Sequence, residues 1–158
     1  MGKTFIRDAT QDDALWMAPR IRMTDLRELQ AACGENVDVA ERLTRSVRVS
    51  TLCKVLESDG EPVVIFGVAP LSVIAREGAP WLIATDMASD MEYRFARLSK
   101  RLLPLMIGPY LRLYNYIDVR NETTMRWLKW LGFSISEPLE YGVNGELFMR
   151  FEMEADYV

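Results

Sequence analysis

The stretch YIDVRNETTMRWLKWLGF, Tyr116 to Phe133, constrains the fold more than any other part of this chain. Together with the LRLYN before it, it begins as a strand: Leu111, Leu113, Ile117 and Val119 occupy odd positions, with Arg112 and Asp118 between them. Asn121 is a helix N-cap, because its side-chain oxygen accepts from the unpaired N–H groups of the first turn. Met125, Leu128 and Leu131 recur every three residues as one apolar stripe, and Glu122 and Arg126 pair four apart on the exposed side. Gly132 ends the helix in the left-handed position that glycine takes without strain, and Phe133 opens another strand. A strand, a capped helix and a strand in so few residues call for a sheet with a helix against its face.

The rest of the chain suits that unit. Its 158 residues are enough for one domain, residues 1–158, with a sizeable core. At 49% apolar and 27% charged residues the composition is that of a soluble globular protein. A net charge of −4 argues against a general nucleic-acid backbone binder. No histidine is present, so Ser-His-Asp and Cys-His catalysis and His-ligated metals are excluded, and any acid or base is Asp, Glu, Tyr, Cys, Lys, water or backbone. Cys33 and Cys53 stand alone and read as reduced packing residues of a cytosolic protein. The acidic N-terminus does not read as a signal peptide, and the longest apolar run, Pro62 to Ala75, is interrupted by Gly67 and Pro70 and too short to span a bilayer.

Taken in order, Lys3 to Arg7 forms a first strand and Thr10 caps a helix with Asp12 and Asp13 in its first turn. Pro19 breaks that helix, Leu15, Leu26 and Leu29 suit its buried side, and Gly34 stops it. Asp38 to Ser46 is a further short helix. Val47 to Leu56 and Pro62 to Val68 read as strands joined by the turn Ser58-Asp59-Gly60, and the second is apolar enough to be covered on both faces. Gly78-Ala79-Pro80 reads as a break before a buried strand at Trp81–Thr85. Ser89 with Glu92 makes a capping box for a helix whose core face is Met91, Phe95, Leu98, Leu102 and Leu105. Gly108-Pro109 ends it. Of Trp127 and Trp130, on different sides of the later helix, one is core and one an exposed contact. The last strands run from Phe133 to Ile135, from Leu139 to Val143, and through Leu147, Met149, Phe151 and Met153, with Asn144-Gly145 as a hairpin turn and Ala155 to Val158 as a loose tail.

Strand, Asn121 cap, short helix, Leu131-Gly132-Phe133 and strand resembles the C-terminal motif of the Gcn5-related N-acetyltransferases, and the element order is similar along the whole chain. The resemblance implies an α/β fold with a twisted mixed sheet of six to seven strands and about four flanking helices. It implies that the strands at Trp81–Thr85 and Leu111–Val119 are adjacent, parallel and splayed, and that the pantetheine of acetyl-CoA or coenzyme A enters between them. The diphosphate would then meet Thr85, Met87, Ala88 and Ser89 at the start of the following helix, with Arg94 one turn inside it and Asn121 nearby. Two departures from the family stand out. The loop from Thr85 to Asp90 has no glycine and carries Asp86 and Asp90, which oppose a diphosphate. Leu128 occupies the position where the family often has a tyrosine acid, with Tyr114 and Tyr116 close by in sequence. Asp86 is either a general base or an acid at the start of a helix. Asp118 is either a base or an edge residue before Arg120. Arg94, Arg97 and Arg101 either reach a phosphate or form a solvated face.

The second half also resembles a small family of acetyltransferase-like internal virion or core-assembly proteins of T7-like bacteriophages, over roughly residues 80 to 154. The residues that carry this are Trp81 to Asp86, Arg97, Lys100-Arg101, Tyr114-Asn115-Tyr116, Asn121, Arg126 to Lys129, Leu131-Gly132 and Asn144-Gly145. It implies a phage protein in the cytoplasm of an infected bacterium, transiently associated with virions. Its partner would be a host bacterial protein or a phage virion protein, with no specific nucleic acid and no membrane, and it would act as a monomer or homodimer. Three functions follow: a coenzyme A-binding interaction protein, an active N-acetyltransferase, and a virion assembly protein without catalysis.

Overall fold

The run Pro62–Val68 is buried at every position because the strand containing it, β3 (Glu61–Ser72), has helices on both faces. The computed structural model describes residues 3–155, apart from the side chains of Glu92 and Tyr93. Around β3 lie β1 (Thr4–Asp8), β2 (Leu52–Ser58), β4 (Glu77–Ala84), β5 (Arg112–Asp118), β6 (Ser134–Ile135), β7 (Leu139–Tyr141) and β8 (Glu146–Glu154). The order across the sheet is β1-β2-β3-β4-β5-β8-β6, with β7 also on β8, and only β4 and β5 run parallel. The helices are α1 (Gln11–Met17), α2 (Met23–Cys33), α3 (Val39–Val49), α4 (Glu92–Ile107) and α5 (Glu122–Leu131), with two short 3-10 turns at Ala18–Arg20 and Asp86–Met91. The sheet is thus mixed, with eight strands where six to seven were expected and five α-helices where about four were.

Alternation along β3 divides the core. Val64, Phe66 and Val68 pack with Phe95 and Leu98 of α4 and Leu128 and Leu131 of α5. Ile65 on the opposite face packs with Ala14 and Met17 of α1 and Leu43 of α3. Thr10 caps α1 through a capping box with Asp13, Asp38 caps α3 and Asn121 caps α5, as their side chains require.

Four local expectations are corrected. Val47–Val49 are the last turn of α3, not a strand; Val47 packs into the α1–α3 core. Gly78-Ala79-Pro80 lies inside β4. A Cβ on Gly78 would stand 2.8 Å from Val68 and 3.0 Å from the Tyr110 ring, so close packing and not a turn explains this glycine. Ser89 does not cap α4: its hydroxyl donates to the Asp86 carbonyl within a 3-10 turn and α4 begins at Glu92, whose side chain lies outside the described residues. Leu15 and Leu105 are exposed, at 53% and 58%. Met106 takes the inner position because it follows Phe95 by eleven residues, three full helical turns. The Ala155 N–H is bound to Leu111, while residues 156–158, the remainder of the expected tail, lie outside the described residues.

Gly132 sits in the left-handed region at φ 107°, and its N–H donates to Lys129. A Cβ there would meet the Met153 methyl at 3.4 Å. Gly132→Val is expected to destabilise the protein by about 1–2 kcal/mol. An unchanged urea midpoint would show that this cap carries no strain for a side chain.

Candidate functional site

β4 and β5 touch only at their first residues, Glu77 with Arg112 and Gly78 with Leu113, and then part. Asn115 bridges the gap. Its side-chain N–H donates to Pro80 of β4 at 3.0 Å, and its oxygen accepts the Tyr116 N–H at 2.9 Å. Pro80 has no N–H to offer the opposite strand, so a side chain stands where ladder bonds would run.

The open edge of β4 follows from strand alternation. The Thr85 N–H donates to Val63 of β3 at 2.9 Å, so Ala84 and Leu82 direct their N–H and C=O groups the other way, into the gap. Both Ala84 groups are taken within the chain: the C=O accepts the Arg22 N–H at 2.8 Å, and the N–H donates to the Asp25 carboxylate at 2.8 Å. Leu82 has no strand paired with it there, so by the same alternation its N–H is turned to the gap, and no hydrogen bond of it to another group is found among the described residues.

Across the gap stands Glu28 of α2, whose Oε1 accepts the Asp118 N–H at 2.8 Å. Burial pushes the Glu28 carboxyl up to about 7; the Asp118 N–H opposes that shift, nearby Asp25 and Asp118 add to it, and Arg22 opposes it. Glu28 lines a cavity of about 210 Å³ together with Cys33, Leu82, Asn115, Tyr116 and Tyr141. Tyr116 and Tyr141 stack at 4.1 Å and form one wall. A second cavity, of about 640 Å³, lies on the α4–α5 side and includes Arg22, Ser89, Asp90, Arg126 and Trp130. Leu82, Phe95, Thr124 and Trp127 line both, so the two spaces adjoin at the open edge of β4.

The residues expected from the sequence are dispersed around these spaces. Tyr116 lines the first cavity, and Ala88 and Ser89 line the second. Thr85 is buried with its N–H and hydroxyl both turned to Val63. Asp86 and Met87 are exposed on the 3-10 turn, and Arg94 is exposed on α4. Asn121 is buried and accepts the Thr124 N–H as the α5 cap. Asp118 is locked to Arg120 at 2.6 Å; burial works to raise its pKa, but the Arg120 guanidinium and N–H outweigh it, so the carboxylate stays charged and engaged. Leu128 is buried in the core, and Trp127 bonds Ser99 while Trp130 lies exposed under Lys100. Burial pushes the Cys53 thiol up to about 12, in line with a packing role, and Cys33 is also a free thiol.

Glu28, Leu82, Arg22 and Asp25 were not singled out from the sequence. Arg22, Asp25 and Glu28 repeat every three residues, which reads as a charged outer face of a helix; here that face is turned to the sheet. Leu82 offers the gap only its backbone, which no residue type reveals.

By sequence the chain matches no protein-family model and no curated protein. Solved structures do match it. A chimera of the spermidine N-acetyltransferase SpeG from Vibrio cholerae with hSSAT aligns over 96% of this chain and 95% of its own, at 14% identity and TM-score 0.68. YncA of Salmonella typhimurium, a putative acetyltransferase solved with acetyl-CoA, aligns over 98% and 95% at 15% identity and TM-score 0.66. RimL, a ribosomal-protein alpha-N-acetyltransferase solved with coenzyme A, aligns over 97% and 94% at 12% identity and TM-score 0.68. The fold is that of the Gcn5-related N-acetyltransferases. At these identities the likeness extends to the fold, and among the described residues no helix is long and apolar enough to cross a membrane.

Proposed function

We propose that the protein is an N-acyltransferase that uses a coenzyme A thioester, with Glu28 as the proton acceptor. The observation that carries this reading is a carboxyl group of near-neutral pKa facing a cavity between parallel strands that have parted. The space fits the thioester arm: the open edge of β4 presents the Leu82 N–H, and the two cavities adjoin there. A bound thioester supplies the acyl group; the amine nitrogen bonds to its carbonyl carbon as the carbon–sulfur bond breaks, and the thiolate leaves with the electron pair. Glu28 removes the amine proton, directly or through one water. The Leu82 N–H donates to the carbonyl oxygen, where negative charge develops. The Tyr116–Tyr141 wall orients the acceptor.

A second reading has its own observation. The Ala84 N–H and C=O, the next polar pair along the open edge of β4, are already bonded to Asp25 and Arg22, and no glycine lies between Thr85 and Asp90. On this reading the fold is a catalytically silent binding module, for a host bacterial or phage virion protein in an infected cell. Calorimetry with coenzyme A, followed by mass spectrometry of amines incubated with acetyl-CoA, separates the two. Saturable binding with acetyl transfer supports the first. The absence of binding at millimolar cofactor supports the second and removes the first.

A further inference from the structure

Building on the acyltransferase reading, we infer that the second cavity holds a diphosphate through two guanidinium groups, Arg22 and Arg126, in place of a glycine-rich loop. The loop itself has little to offer. The Thr85 N–H is spent on Val63 and the Ala88 N–H on the Thr85 carbonyl. The Ser89 hydroxyl donates to Asp86, and Asp90 brings a negative charge to the cavity lining. An anion in this space therefore needs positive charge from elsewhere.

Two walls provide it. Arg22 comes from the connection between α1 and α2 and lines the cavity. Its Nε donates to Asp25 at 2.8 Å, and its backbone N–H is tied to Ala84 at 2.8 Å. Asp25, only 2% exposed, also takes the Ala84 N–H, so the base of the Arg22 side chain is held on the sheet from two directions. Among the described residues both Arg22 Nη groups remain for another acceptor. Arg126 lines the cavity from α5. Its expected ion pair with Glu122 is not formed, and among the described residues none of the ion pairs includes Arg126. Guanidinium forks match phosphate oxygens in geometry and stay charged at every working pH. Asp90 is the one acid lining this cavity among the described residues; Asp25 behind the lining pairs with Arg22, so Arg22 offers its Nη donors and Arg126 the charge that offsets Asp90.

The test is calorimetric titration of the full chain with inorganic pyrophosphate and, separately, with coenzyme A. Pyrophosphate is expected to bind the wild type. Arg22→Gln and Arg126→Gln are each expected to weaken both ligands by about tenfold, and Asp90→Asn to tighten both. Arg126 is exposed and has no hydrogen bond or ion pair from its side chain among the described residues, so Arg126→Gln decides the matter if Arg22→Gln fails to fold. Pyrophosphate binding that is absent in the wild type, or undiminished in Arg126→Gln, overturns the inference. Coenzyme A binding and acetyl transfer that survive both changes remove the arginine site and leave the acyltransferase reading standing. Arginine-dependent pyrophosphate binding without acetyl transfer does the reverse.

Discussion

With a weakly basic aryl amine as acceptor, kcat/KM is expected to rise about tenfold per pH unit up to about pH 7 and then level. Such an acceptor is uncharged across this range, so the limb reports the enzyme. Glu28 accepts a proton only when ionised, and burial holds its carboxyl neutral to about 7. Glu28→Gln keeps an oxygen for the Asp118 N–H but cannot take a proton. It is expected to flatten the profile and lower the rate by about 10²–10⁴-fold. Stability should move the other way. The folded pKa lies above the usual 4.5, so the neutral form is favoured in the fold; that stabilisation is complete below about 4.5 and lost as pH rises through about 7. The loss amounts to about 3 kcal/mol by pH 8. Glu28→Gln should therefore be more stable than wild type at pH 8 and close to it at pH 4. A profile flat from pH 5 to 9, or a variant with wild-type rate, would remove Glu28 from the chemistry.

Phe148→Ala is expected to destabilise the protein by about 3–5 kcal/mol and lower Tm on the order of 10 °C. Phe148 on β8 is 1% exposed and borders the first cavity. Its ring meets Tyr141 edge-on at 5.1 Å, and Tyr141 in turn stacks on Tyr116. Truncation would enlarge a space that already exists, so neighbouring side chains have little to collapse onto. The tyrosine wall would also lose its backing, and the acceptor KM should rise more than kcat falls. Leu147→Ala one residue earlier, at 51% exposure, should stay within about 0.5 kcal/mol of wild type. Equal effects at the two positions would mean that Phe148 is not the support of that wall.

Local rules made much of this molecule legible from its residues. The Asn121 cap, the αL Gly132, the Thr10 cap and the fully buried run of β3 depend on neighbours in the chain, and the structure has each of them. The same rules failed where distant packing competes. Gly78 and Pro80 look like a break until Tyr110 and the strand gap account for them.

The sequence by itself determined most of the strands and capped helices and the missing glycine loop, because hydrophobic period and turn chemistry are written in adjacent residues, while the α/β class and the parallel pair of strands came from the resemblance to a known family. Only the tertiary structure decided which groups meet in the gap. Asn115 bridges the parted strands by reaching 35 residues back to Pro80, and Asp118 meets Glu28 across 90 residues. The Glu28 carboxyl is pushed towards neutrality by burial, a property of everything packed around it, and no spacing within α2 encodes that.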